Sequence, residues 1–173
     1  MEILLFGHEL LHKKAEPIKT ISPEYQKIGA DLIDALHAGK GIGLAGPQVG
    51  RMERIFAVHI DGDVPRIFIN PSIIETSSEL TKYEEGCLSI PGLYADVMRP
   101  HSIKVQAWNE NGKPFTLEVS GLLARVILHE YDHLEGVLFT DRIPEPKRNR
   151  IIEKFNRQAL NKNNMQKTRR IKN

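Results

Sequence analysis

Between Gly121 and Gly136 the chain reads GLLARVILHEYDHLEG, with Leu122, Leu123, Val126, Ile127, Leu128 and Leu134 apolar and a glycine at each end. That spacing predicts a buried helix of about four turns at 3.6 residues per turn. An earlier helix is announced by Ser22-Pro23-Glu24, which supplies an N-cap residue, a proline for the first helical position and an early acid. Ile28, Leu32, Ile33, Leu36 and the region to Ala38 supply its buried stripe. Strand patterns fill the middle. Residues 54–60 and 66–69 flank Asp61-Gly62-Asp63, and residues 102–108 and 114–119 flank Asn109-Glu110-Asn111-Gly112, so each pair reads as a hairpin. Asn70-Pro71 is expected to end one strand and residues 72–76 to begin another. Helices before and after a block of strands give the order of an α+β fold, not of alternating βαβ units.

The predicted helix at 121–136 carries H-E-x-x-H: His129, Glu130, Tyr131, Asp132 and His133. Residues four apart lie on one helical face, one turn apart, so both imidazoles can reach a single ion. Leu122 and Val126 continue that face as an apolar wall. Glu130 lies about 100° around the helix from His129, placed to meet a water at the ion without being a ligand. Two histidines do not complete a site. The same pattern occurs at His8-Glu9-Leu10-Leu11-His12, but near a chain end with Lys13 and Lys14 following. A catalytic ion needs ligands on a rigid, packed element, so this copy is read as exposed polar residues beside Leu10 and Leu11.

Other candidate chemistry is sparse. Residues 39–50, GKGIGLAGPQVG, hold five glycines and a proline. They predict irregular backbone, either a plain turn or a backbone wall beside a ligand with the Gln48 amide as donor. No G-K-[ST] ending supports a phosphate loop. His37 and His59 read as a helix-end residue and a sheet residue, not as ligands. Cys87, the only cysteine, lies in the turn-like YEEGCLSIP of residues 83–91. It is either a small buried hydrophobe or the missing ligand. Asp132 is read as a member of a structural ion pair, with Arg99 and Arg125 as candidate partners for it and for Glu85.

Charge changes the picture at the end of the chain. From Lys147 onward ten Lys/Arg stand against one acid, a charge of +9, and the preceding residues carry fourteen bases and twenty-one acids, or −7. The net +2 is therefore an acidic body with a basic tail. Residues 147–160 predict a basic helix with Ile151, Ile152 and Phe155 toward the body, and Asn161 onward is expected to be frayed. The tail reads either as solvated charge or as a contact for ribosomal RNA. No run approaches the ~20 apolar residues that span a bilayer, and the first residues do not read as a signal peptide. A lone cysteine makes no internal disulfide, which together with the missing signal points to the cytoplasm.

Three segments stand in one order: GIGLAGPQ at residues 41–48, EGCLS at 85–89 and HEYDHLEG at 129–136. In order and spacing they resemble the signature motifs of the peptide deformylases, and the likeness runs from about Glu16 to Pro144 through LFTDR at 138–142. The resemblance implies antiparallel β-sheets enclosing a central metal-bearing helix, with an N-terminal and a C-terminal helix. It implies one catalytic domain over residues 1–146, followed by the basic helix and tail at 147–173. It implies a hydrolase that removes the formyl group from the N-terminal formylmethionine of nascent polypeptides and releases formate.

Residue by residue, the likeness makes Cys87, His129 and His133 the metal ligands and Glu130 the catalytic acid/base. The Gln48 side chain and the Leu88 backbone N–H become the donors to the developing oxyanion. Ile42, Gly43 and Gly86 hold the peptide extended, and Leu122 and Val126 form part of the methionine pocket. The implied ion is Fe²⁺, with Zn²⁺, Ni²⁺ or Co²⁺ as substitutes; the ligand types alone accept zinc, and raw affinity would favour zinc over ferrous iron. A monomer acting on formyl-Met nascent peptides, with a ribosome contact through the tail and no membrane, is the expected setting. Gly46 stands where the family usually has alanine, which is expected to loosen the loop carrying Gln48. Gly7-His8-Glu9 replaces the family's proline-containing stretch. H-E-x-x-H alone also allows a zinc endopeptidase, and the tail a ribosome- or RNA-binding module with a non-catalytic metal site.

Overall fold

The computed structural model describes residues 1–171, with side chains described through residue 161. Its centre is strand β2 (Ile55–Val58), which follows β1 (Gly43–Ala45) and is buried at all four positions. All four are apolar because both faces of the sheet are covered. Ile55 and Ala57 pack toward α1 (Glu24–Ala38), among Ile28, Leu32, Ala35 and Leu36. Phe56 and Val58 face α2 (Gly121–Leu134), among Ala124, Val126, Ile127 and Leu134. Each large side chain buried this way contributes about 1.5–3 kcal/mol.

The strands form two antiparallel sheets. One has the order β1-β2-β3-β6-β7, with β3 at Arg66–Thr76, β6 at Ser102–Trp108 and β7 at Pro114–Ser120. The other is a hairpin of β4 (Leu80–Cys87) and β5 (Ile90–Pro100). Helix α2 packs against β1, β2, β5, β6 and β7, so both sheets contribute to its surroundings. This is the expected α+β architecture with a helix at its centre.

Several local expectations need correction. Asn70-Pro71 does not end a strand: β3 continues to Thr76, with a shift in its pairing to β6 between Ile69 and Ser72. Asn70 adopts φ 48°, a left-handed conformation that asparagine tolerates, and its amide exchanges two 2.8 Å hydrogen bonds with the Ile18 backbone. The bulge is thus fixed by a contact 52 residues away in sequence. Segment 39–50 is more regular than its glycines suggest, holding β1 and a 3-10 turn at Gly46–Val49. Ser22 makes no side-chain cap; its carbonyl accepts from the Tyr25 N–H. Ala35, not Ala38, lies in the buried stripe of α1. Helix α2 stops at Leu134, two residues before Gly136, which has φ 73°.

The ends of the chain meet in a third cluster. Helix α3 (Glu145–Ile171) sets Ile151 and Phe155 among Leu11, Ile90, Leu93, Val97, Leu138, Phe139 and Ile143, with Ile152 only half buried. The helix runs ten residues beyond the expected fraying point, because nothing after Lys147 is glycine or proline. Residues 172–173 lie outside the described residues. His8, Glu9 and His12 are exposed around the buried Leu11, as the reading of the first H-E-x-x-H required. His37 and His59 pair with each other, Nε2 to Nδ1 at 2.7 Å.

Candidate metal centre

Two elements supply the donors. Helix α2 presents His129 and His133 from successive turns, with ring centroids 5.0 Å apart. Cys87 closes β4, where the hairpin register shifts between Gly86 and Cys87 and turns the sulfur toward the helix. Its Sγ lies 3.3 Å from His133 Nε2, and one donor atom from each of the three residues lies within 4.8 Å of the others. Among the described residues no other three His, Cys, Asp or Glu side chains converge in this way. A thiolate and two imidazole nitrogens fit a four-coordinate divalent transition metal that keeps one position for a reactant.

The histidines are prepared for that task by different surroundings. His129 Nδ1 lies 3.0 Å from Glu85 Oε2, which leaves Nε2 for the ion. Burial works against a charged His129, but the Cys87 sulfur and the Glu85 carboxylate outweigh it and push its pKa up to about 10. His133 goes the other way: burial, then the charges of His129 and Arg99, hold it well below the ordinary value. An ion would displace the proton from His129.

Glu85 anchors a buried ion network behind the donors. Burial disfavours its charge, yet bonds from His129 and Arg99 hold its carboxyl well below the usual carboxylate range. Arg99 donates to it through Nε at 2.6 Å and Nη2 at 2.9 Å, and Arg125 Nη1 adds a bond at 2.7 Å. Arg99 also donates to Asp132 at 2.8 Å, and Arg142 completes the coordination of Asp132 through Nε at 3.0 Å. Arg125 is held further by the carbonyls of Val97 and Thr81. The pairings of Arg99 with Glu85 and Asp132, and of Arg125 with Glu85, agree with the sequence reading. Arg142 was not anticipated, because an arginine ten residues beyond Asp132 announces nothing by spacing.

Glu130 is 3% exposed, and its Oε2 has no hydrogen-bond partner. Burial raises its pKa to about 7, although the His129 charge acts against this. Gly43 makes the approach possible: a Cβ there would lie 2.1 Å from Glu130 Oε1. Gln48 is fixed from behind. The Ala45 N–H donates to its Oε1 at 2.8 Å, so its NH₂ points toward Cys87 Sγ at 3.4 Å and Ser89 Oγ at 3.2 Å. At Gly46 a Cβ would come within 2.8–2.9 Å of the Arg51 and Glu53 carbonyl oxygens, so the backbone packs here with no room for a side chain. Ser89 went unnoticed in the sequence, although it closes the same EGCLS segment.

A cavity of about 550 Å³ opens onto these groups, lined in part by Ile42, Gly43, Gly86, Leu88, Leu122 and Val126. All five residues assigned to substrate binding by resemblance therefore border one space, together with Gln48, Cys87, His129 and Glu130.

The chain is similar to known proteins over most of its length. The sequence model of the polypeptide deformylase family matches residues 1–149. The peptide deformylase of Borreliella burgdorferi is 43% identical over 159 residues, covering 91% of this chain and 96% of that protein. That of Neisseria gonorrhoeae is 43% identical over 157 residues, covering 90% and 93%. Among solved structures, a peptide deformylase from Legionella pneumophila superimposes with a TM-score of 0.88 at 34% identity, covering 93% of this chain and 96% of its own. One from Synechococcus elongatus in complex with actinonin gives 0.85 at 37% identity, covering 89% and 86%. No helix among the described residues is long and apolar enough to cross a membrane. With the family model spanning most of its length, the chain belongs to the polypeptide deformylase family.

Proposed function

We propose that Cys87 Sγ and the Nε2 atoms of His129 and His133 hold one divalent ion, that Glu130 is the acid/base, and that Gln48 Nε2 and the Leu88 N–H receive the charge developing on the formyl oxygen. The reaction is that of the family, metal-dependent removal of the formyl group from N-terminal formylmethionine. One observation carries the assignment of roles: three donors converge within 4.8 Å beside a buried carboxylate with an unpartnered oxygen. When bound, the ion supplies a Lewis acid that polarises the carbonyl and makes water more acidic.

The chain's own groups do the rest. Glu130 takes a proton from the attacking water and delivers it to the amide nitrogen as the C–N bond breaks. Formate and a free N-terminal methionine leave. Gln48 is aimed before substrate arrives, because its oxygen is committed to Ala45. Losing one such pre-aimed donor typically costs about 3–4 kcal/mol in the transition state. Strand β1 is the edge of its sheet and β4 pairs only with β5. An extended peptide fits between Ile42 and Gly43 on one side and Gly86 on the other, in the manner of strand addition. The methionine side chain lies against Leu122 and Val126.

Formate release from a formyl-Met peptide tests this reading. Chelation should abolish it and a divalent ion restore it, whereas cleavage of internal peptide bonds would argue for an endopeptidase. We take Fe²⁺ as the native ion, with Zn²⁺, Ni²⁺ or Co²⁺ able to replace it. Metal analysis of protein purified without oxygen distinguishes them.

We take the enzyme to be a monomer in the cytoplasm, where nascent chains are met. The basic helix is its proposed ribosome contact, since Lys147, Arg150, Lys154 and Arg157 are exposed on α3. Cutting after Pro146 would remove Ile151 and Phe155 from the core, so residues 1–146 do not include the whole packed body. Truncation after Asn161 removes five bases and spares that packing. It should weaken ribosome co-sedimentation at low salt while activity on a short peptide is kept. Unchanged sedimentation would remove the ribosome from the account.

A further inference from the structure

The first residues of the chain cross behind the metal centre. Leu4 and Phe6 are half-buried with exposed Leu5 between them, so alternate side chains turn inward. The Leu4 N–H donates to the Gln48 carbonyl at 2.7 Å, and the Phe6 N–H donates to the Ser89 carbonyl at 2.8 Å. Gln48 and Ser89 are both buried, lie 41 residues apart in sequence, and meet through Gln48 Nε2 and Ser89 Oγ at 3.2 Å. Residues 4–6 therefore clamp, from the backbone side, the loop that carries Gln48 to the segment that carries Cys87 and Leu88.

Phe6 holds this strap in place. Its ring meets the Phe155 ring of α3 edge-on, with centroids 5.6 Å apart and planes at 77°. It meets His12 in the same way at 6.1 Å and 78°. Gly7, at φ 97°, lets the chain turn back after Phe6 into the 3-10 turn Glu9–His12. There His8 Nδ1 accepts from the Leu10 N–H at 3.3 Å. The first H-E-x-x-H thus serves the strap: His8 starts the turn and His12 supports the ring.

We infer that Phe6 is a positioning residue, and that through residues 4–6 it fixes the Gln48 amide relative to the Leu88 N–H. The inference rests on the proposed roles of those two donors. A donor acts on a developing oxyanion only at hydrogen-bond distance from where that oxygen will be. A displacement of about 1 Å, caused far from the chemistry, can cost about a hundredfold in rate. Such a loss belongs to the transition state and falls on kcat, not on KM. A strap that served stability alone would show no dependence on Gln48.

The test uses the full, metal-loaded chain and a formyl-Met peptide, with kcat, KM and bound metal measured for each variant. Phe6→Ala should lower kcat by about ten- to a hundredfold with KM and metal content unchanged, and Phe6→Leu should keep most of the rate. A backbone ester at Phe6 replaces the N–H by oxygen and leaves every side chain in place. It should lower kcat in the same sense, and it decides the matter if Phe6→Ala does not fold. Either loss should become markedly smaller in a Gln48→Ala background, because the strap then has no amide to aim. An equal loss with and without Gln48, a loss that follows metal content, or wild-type kcat in either altered protein overturns the inference. In those cases a low rate in Gln48→Ala alone still supports the proposed function. A wild-type rate in Gln48→Ala alone would instead count against the proposed role of Gln48, and the inference falls with it.

Discussion

Glu130→Gln should lower kcat/KM for a formyl-Met peptide by about 10²–10⁴, the usual contribution of a positioned acid/base. Glutamine keeps the size of the side chain and removes its capacity to carry a proton. The variant should therefore retain its metal and its fold, and the loss should fall on kcat. Wild type should also show an acid limb in its pH profile, since Glu130 must be ionised to accept a proton. Burial pushes its pKa up to about 7, and a cation nearby pulls it down. The limb should lie between the ordinary carboxylate range and 7, with activity falling as pH falls through it. Glu130→Gln should lack that limb. Equal rates in the variant and wild type would remove Glu130 from the chemistry.

Glu85→Ala should be as damaging by another route. Glu85 receives two bonds from Arg99, one from Arg125 and one from His129, all in the interior. Its removal leaves buried guanidinium charge without its acid, which typically costs 3–5 kcal/mol, or roughly 6–20 °C in Tm for a chain of this size. His129 also loses the acceptor that orients its ring, a change worth about 10–100-fold in metal affinity. Thermal unfolding and a metal-competition titration report the two effects separately. A Tm within a few degrees of wild type would show that the network is not what holds β4, β5 and α2 together.

The difference between these two residues also marks what was legible in the sequence. Glu130 sits inside a five-residue pattern, and helical geometry alone places it beside the ion. Cys87 is 42 residues earlier, on a different element, and only a hairpin shifted at Gly86 brings it to the histidines. Its proposed role was legible through the resemblance, not through spacing. Glu85 and Asp132 could be seen as acids needing bases, but Arg142 joins them by tertiary packing. The continuation of β3 through Asn70-Pro71 depends on Ile18, and local turn chemistry points the other way. The hairpins at 61–63 and 109–112 were readable because turn residues and alternation agreed locally.

The ligand set is the centre of the account, and X-ray absorption at the metal edge tests it most directly. In protein purified without oxygen, the account predicts one sulfur at about 2.3 Å and two imidazole nitrogens at about 2.0–2.1 Å, if the ion is of zinc's size. The sulfur signal should disappear in Cys87→Ala, and formate release with it. A site of nitrogen and oxygen only, unchanged by Cys87→Ala, would contradict it.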